Sequence, residues 1–383
     1  MKQDRINTCL YFYRMFAAAH ISYDETNAFS RIVLDYLGQS EELRPFYRQE
    51  PTAAGLLRAL AARRQQPVDR SALVAVLQDQ YRSVDAPAVH RNIDALSDPG
   101  TFTVCTAHQP NLATGPLYVV YKILHAVRLA MEMNDLSPDH KFVPVYFMGS
   151  EDADLAELNH FTVDGKRYEW KTGQTGAVGR MVVDSALTGL FDELGRQLGV
   201  EAHGGEIVDL LRQHYKPGQT IQQAMFGFVN ALFGHLGVIV LIADDPRLKK
   251  QMQAVFQDDL FTQRPSSVVT DTCRRLDPLY KVQAHPREIN LFYLKDDIRE
   301  RIERKGNGFC VCHTDLFFSE DEIRAELDSH PERFSPNVIL RGLFQETILP
   351  NIAFIGGGGE LAYWMQLADL FDAYSIPFPA LIL

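Results

Sequence analysis

Four stretches of this chain concentrate residues able to bind ligands or move protons, and each lies where an apolar run stops or a helix begins. The first is HQPNLATGP, residues 108–116. It follows FTVCT and precedes a helical pattern. A helix start presents unpaired amides and a partial positive charge, which suit an anion. His108 could donate to a phosphate or carboxylate, with Gln109, Asn111, Thr114 and Gly115 as neutral contacts. The bland reading is a proline-stiffened turn around a buried histidine. The stretch lacks Gly-Lys-Ser/Thr, so it is not a Walker phosphate loop.

The second is GSEDADLAELNH, residues 149–160. Glu151, Asp152 and Asp154 crowd negative charge after another apolar run. Such a cluster can hold Mg²⁺, hold an ammonium, or act as a base. It can also be a solvated acidic loop capping the helix LAEL. His160 is either a ligand or the entry to a strand. The third is IGGGGELAYW, residues 355–364, where Gly357 and Gly358 let backbone approach a ligand closely. Glu360 could complement the helix dipole or bind an amine or hydroxyl, with Tyr363 as a wall. The fourth is FSPNVILRGLFQE, residues 334–346. Asn337 and Arg341 are four apart and share a helix face. Arg341 suits a carboxylate or phosphate fork, with a surface salt bridge as the competing reading. Two weaker stretches are the Cys310, Cys312 and His313 set and KPGQTIQQ. The former has no second Cys/His pair at zinc-finger spacing, and no tightly bound metal is expected. The latter reads as a helix entry.

The elements that must position these stretches follow from periodicity. Residues 1–100 show apolar positions at three- and four-residue spacing and read as a helical N-terminal region packed on the core. From 101 the pattern alternates: TFTVCTAH a strand, GPLYVVYKILHAVRLAMEM a helix opening on Gly115-Pro116, KFVPVYFMG a strand. HFTVDGKRYEWK reads as a hairpin about Asp164-Gly165. GVIVLIADD is a third strand buried on both faces. Residues 246–281 return to helices, and INLFYLKDDIRERIERKGNGFCVCH reads as small antiparallel strands. NVILRGLFQETILP is a helix, NIAFIGG a strand, ELAYWMQLADLFDAY one helix and PFPALIL a last strand. The fold class is α/β: a doubly wound parallel sheet over 101–383, with insertions at about 155–235 and 246–330. Ligands in such sheets bind beyond the carboxyl ends of the strands.

Composition narrows the function classes. The 383 residues carry 49 acidic and 38 basic side chains, a net charge of −11, which argues against broad nucleic-acid binding. Five scattered cysteines do not form a secreted disulfide framework. No apolar run approaches the roughly 20 residues a membrane helix needs. The opening residues, MKQDRINTCLYFYRMF, lack a signal-peptide pattern. A cytoplasmic protein is expected.

Taken together, HQPNLATGPLYVVYKILHA, PVYFMGSEDADLAELNH, KPGQTIQQAMFGFVNALFGHLGVIVLIADDP, FSPNVILRGLFQETILPNIAFIGGGGELAYWMQL and PFPALIL resemble the BshC family, cysteine ligases of bacillithiol biosynthesis. The resemblance runs over most of the chain from about residue 100. It implies a Rossmann-like core with inserted connecting segments. It implies that L-cysteine is joined to the amine of glucosaminyl-malate, with ATP as the activator and Mg²⁺ in attendance. His108, Asn111 and Thr114 would then lie by phosphates. Glu151, Asp152 or Asp154 would bind an ammonium or deprotonate the amine. Asn337 and Arg341 would anchor malate carboxylates, and Glu360 with the glycine turn a hydroxyl. The acidic loop departs from the family's Glu-Asp-His-Asp: Ala153 stands where the histidine is expected. The family also continues into a coiled coil that pairs two subunits, so a chain without that dimerisation segment is expected. The rival readings are another ATP-dependent ligase or nucleotidyltransferase, and a non-catalytic binding or pathway-organising protein.

Overall fold

The computed structural model describes residues 21–383. Cys9 and the reading of the opening segment lie outside the described residues. The central sheet has five strands, all parallel: β1 (Thr101–His108), β2 (Lys141–Met148), β5 (Ile239–Ile242), β11 (Asn351–Ile355) and β12 (Ala380–Ile382). Their order is β12-β11-β1-β2-β5. The chain builds outward from β1 on one side, then returns to build on the other. That reversal puts a topological switch point between β1 and β11, where a crevice opens at the carboxyl ends. β1, β5 and β11 are buried nearly throughout, which explains their mostly apolar runs. This is the Rossmann-like arrangement expected.

The N-terminal helices α1 (Arg31–Leu37), α2 (Ala53–Gln65), α3 (Arg70–Gln80) and α4 (Pro87–Ala95) lie against this sheet. Asp69 and Thr52 cap α3 and α2 by accepting backbone amides. Tyr81 accepts from the Val240 amide of β5 at 2.8 Å, a direct tie from the helical region to the sheet. One apolar cluster runs from Ile32 to Leu381.

Helix α5 (Tyr118–Leu136) connects β1 to β2. It begins later than its sequence suggests. Gly115 adopts φ 62°, and a Cβ there would lie 2.6 Å from the Asn111 Cβ, so the turn is finished before the helix starts. Between β2 and β5 sit the hairpin β3 (His160–Val163) and β4 (Lys166–Glu169), then α6 (Ser185–Leu198), α7 (Gly204–His214) and α8 (Ile221–Phe233). Asp164 and Gly165 both have positive φ, as the two-residue turn requires. This insertion has its own core around Trp170, Phe191 and Tyr215.

Between β5 and β11 the chain forms α9 (Gln253–Phe261), α10 (Arg264–Leu276), α11 (Glu320–Ser329) and α12 (Val338–Ile348). It also forms a second, antiparallel sheet, in the order β10 (Phe334–Pro336), β6 (Leu291–Lys295), β7 (Ile298–Lys305), β8 (Gly308–Val311), β9 (Phe317–Ser319). β10 is short and ends at a proline, so its sequence merges with the helix after it. The expected single helix over 360–374 is two: α13 (Gly358–Met365) and a turn of helix at Ala368–Ala373. The break falls at Gln366, whose buried amide accepts from Gln283 and Ala284 and donates to Ala284. No helix among the described residues is long and apolar enough to cross a membrane.

Candidate functional site

The carboxyl ends of β1, β2, β5 and β11 open into one cavity of about 500 Å³. The antiparallel sheet covers it with Arg299 of β7, and the start of α12 closes another side with Asn337 and Arg341. Its position is where an open α/β sheet binds ligands.

His108 ends β1 and lines the cavity, with its ring edge-on to Tyr118 at 5.4 Å. Its Nε2 is buried without a partner. Burial, then the nearby Lys122 charge, pushes its pKa down to about 4, so the ring is neutral near pH 7. Gln109 lines the cavity and donates to Asp152 Oδ2 at 2.8 Å, which joins the first two loops. Asp152 faces the cavity; its other oxygen accepts from the Asp154 amide. Glu151 also lines the cavity but is committed. The Lys249 ammonium, fully buried, lies 2.7 Å from Glu151 Oε1 and donates to the Phe334 carbonyl at 2.8 Å. Glu151 therefore fixes charge rather than standing free as a base.

Asn337 caps α12 by accepting from the Ile339 amide at 2.8 Å, and donates to Asn290. Arg341, one turn on, donates to the Tyr363 hydroxyl. Burial opposes its charge, but Tyr363 and Glu360 outweigh that and raise its pKa. Glu360 Oε2 accepts from Lys122 at 2.5 Å and from the Gly357 amide at 2.8 Å. Gly357 and Tyr363 line the cavity beside them.

Six sequence-selected residues stand outside the lining. Asn111, Thr114 and Gly115 form the turn between β1 and α5, with Asn111 and Thr114 buried. Asp154 is exposed and caps the one-turn helix Leu155–Leu158 through the Glu157 amide. His160 opens β3 opposite Glu169, as a strand-entry residue. Gly358 packs towards Phe29 and Val33, and Gly359 faces the cavity instead. His313 of the weak metal set turns to Glu300 at 2.9 Å.

The cavity also holds residues that pattern reading passed over. Arg299 stacks on Phe292 at 4.1 Å and donates to Ser335. Burial pushes its pKa down. Among the described residues, neither Arg299 nor Arg341 has a carboxylate within salt-bridge distance. Asp244, after β5, is gripped by Arg180 through two bonds of 2.7 and 2.8 Å. The strand-end rule that picked the other loops would have found it. Ser150 is buried with an unpartnered hydroxyl on the lining. Arg299 gave no signal, because an alternating charged strand does not say which arginine turns inward.

The cavity thus offers two guanidinium groups without carboxylate partners, a neutral imidazole and an accessible carboxylate. Such a set can hold an anion beside an amine. The family model described as "Bacillithiol biosynthesis BshC, N-terminal Rossmann-like domain" matches residues 16–383. The chain belongs to the BshC family. Among its relatives, the protein of Cytophaga hutchinsonii named "Putative cysteine ligase BshC" is 43% identical over 368 residues, covering 96% of this chain and 68% of that one. Proteins of the same name from Christiangramia forsetii and Flavobacterium johnsoniae are 41% and 38% identical, each match covering 69% of the relative and 95% or 94% of this chain. The BshC match runs through the N-terminal helices as well as the core, so the sheet, its insertions and the cavity they enclose all fall within it.

Proposed function

We propose that this chain is a carbon–nitrogen ligase of bacillithiol biosynthesis, joining the carboxyl of L-cysteine to the amine of glucosaminyl-malate. The observation that carries the reading is the pairing of guanidinium groups that lack a direct carboxylate partner with His108 and Asp152 in one cavity of a BshC-family fold. A free carboxylate is a poor electrophile, so the cysteine carboxyl needs activation. ATP would supply this by transferring its adenylyl or γ-phosphoryl group to the carboxylate with release of pyrophosphate or ADP; AMP or phosphate would leave as the amine adds, and Mg²⁺ would accompany the phosphates rather than a protein cage. Arg341 and Arg299 suit the anionic groups, whether phosphate or malate carboxylate. Asp152 suits an ammonium. As the C–N bond forms, the amine must lose a proton, and neutral His108 is the cavity group suited to accept it. The reading places the chain in the cytoplasm, where its cysteines stay as thiols; Cys105, Cys273, Cys310 and Cys312 are all unpaired.

The test is mass-spectrometric detection of cysteinyl-glucosaminyl-malate after incubation with cysteine, glucosaminyl-malate, Mg²⁺ and ATP. Product that depends on ATP is expected. Product without nucleotide would remove ATP from the reading. No product, with calorimetric binding of glucosaminyl-malate intact, would make the chain a binding protein instead.

A further inference from the structure

Lys122 belongs to none of the four stretches whose residue types suggest ligand chemistry. It sits in the second turn of α5, inside the apolar run YVVYKILHAV, and is buried. Its ammonium donates to Glu360 Oε2 at 2.5 Å and to the Ala107 carbonyl at 2.8 Å. Ala107 directly precedes His108 in β1. Glu360 Oε2 in turn accepts from the Gly357 amide at 2.8 Å. One side chain therefore ties three walls of the cavity: the end of β1, the helix after it, and the glycine turn that opens α13.

A lysine buried this deeply costs desolvation, and it is retained only where it is paired and bonded. Here the burial presses its own proton affinity down while Glu360 supports the charge. The charged groups acting on His108 are Lys122 from α5, Glu360 from α13 and Arg341 from α12. Lys122 and Arg341 oppose a proton on the imidazole; Glu360 favours one. Of the two cations, Lys122 has the larger effect.

We propose that Lys122 is the positioning residue of this cavity: it pins the Glu360 carboxylate against the glycine turn and sets a cation against the end of β1 that carries the buried His108 imidazole, which takes the proton of the attacking amine. The part concerning the amine rests on the ligase reading above; the part concerning His108 does not.

The experiment follows the His108 imidazole by NMR through a pH titration of the full chain labelled at its 12 histidines, the signal being assigned by its loss in His108→Gln. Lys122→Met is expected to raise the His108 midpoint by about one pH unit or more, because a cation is lost and Glu360 is released from its partner. Lys122→Arg should restore the low midpoint. Glu360→Gln should lower it, which keeps the proposal open to test if the methionine variant does not fold. Where product formation is measurable, Lys122→Met should move the acid limb of the kcat profile towards higher pH, with Lys122→Arg returning it. An unchanged midpoint in Lys122→Met, or a rise in Glu360→Gln, would overturn the proposal. A shifted midpoint in a chain that makes no product would leave the Lys122–His108 relation standing and remove the ligase reading alone.

Discussion

Helix α12 touches two charge clusters five residues apart and treats them oppositely. At its start, Arg341 faces the cavity with a tyrosine hydroxyl as its bonded partner. Near its end, Glu346 is wholly buried at the amino end of β11. There Arg63 donates to Glu346 at 3.1 Å and to the Asn351 carbonyl at 3.1 Å, while Asn351 and Gln345 donate to the other Glu346 oxygen at 2.8 and 2.9 Å. Thr103 completes the set on Asn351. Burial raises the Glu346 pKa, and Arg63 opposes that. Only Gln345 Oε1 is left without a partner in this cluster, whereas the cavity leaves His108 Nε2 and Ser150 Oγ unmet and two guanidinium groups without carboxylates. The same sheet thus has an end whose charges satisfy one another and an end that pairs three of its carboxylates but leaves two guanidinium groups, an imidazole nitrogen and a hydroxyl without such partners. Buried polar groups are normally satisfied, so the second end is the one organised for a ligand.

The largest effect should come from breaking the satisfied end. Arg63→Met leaves Glu346 buried without its cation and should cost about 3–5 kcal/mol of stability, read from urea unfolding. Replacing both partners, with Glu346→Leu added, should recover much of that loss. Ligation per folded molecule should stay near wild type, because neither residue lines the cavity. A loss of turnover in a stable double variant would erase the distinction between the two ends.

The cavity end should show itself in acid. The His108 midpoint is about 4 in the folded chain and about 6.5 when unfolded. The unfolded chain therefore binds the proton first, and stability falls as pH drops from 6.5 to 4. The full gap corresponds to roughly 3 kcal/mol, an upper figure for a partly accessible ring. Buried Asp259 acts in the opposite sense. Desolvation raises its pKa to about 7, so its folded form binds a proton first and acid adds stability over much of the same window. The wild-type curve should thus be shallow. The difference between wild type and His108→Gln isolates the His108 part, and a flat difference from pH 7 to pH 4 would contradict it.

A smaller effect is expected at Arg341. Arg341→Gln should lower kcat/KM about 100-fold, the loss of about 2–3 kcal/mol carried by one charge-assisted bond to an anion. Stability should change by less than about 1 kcal/mol, since no carboxylate is stranded. A variant that unfolds while keeping its turnover would put Arg341 with Arg63 instead.

The sheet was legible in the sequence because both of its faces are covered. VIVLI is an unbroken apolar run, FTVCT and NIAFI are apolar but for two threonines and an asparagine, and each ends in a loop that reaches the cavity. Local sequence could also show the Asp164-Gly165 hairpin, whose turn demands positive φ. It could not show Arg299, which comes from a second sheet brought over the crevice by tertiary packing. Nor could it show Lys249 or Lys122, which look like solvated lysines until the fold buries them. Asn111, Thr114 and Gly115 have polar or flexible character for a local reason: they close a turn that the backbone could not otherwise make.

Asp152 and Asp154 are the sharpest form of the same contrast, two residues apart in one acidic loop. Asp152 faces the cavity and is held there by Gln109, while Asp154 faces solvent and caps a single helical turn. Asp154→Ala should cost about 1 kcal/mol or less, since the helix it starts has only four residues, Leu155–Leu158. Turnover should remain within about twofold of wild type. Asp152→Asn keeps the shape and the bond from the Asp154 amide and turns a donor towards Gln109, whose amide can flip to accept it, so the melting temperature should change little while whatever the carboxylate charge holds is weakened. If the two variants lost turnover equally, the acidic loop would be acting through its total charge. If only Asp152→Asn does, the amine site is set by one carboxylate that the Gln109 bridge aims across the crevice.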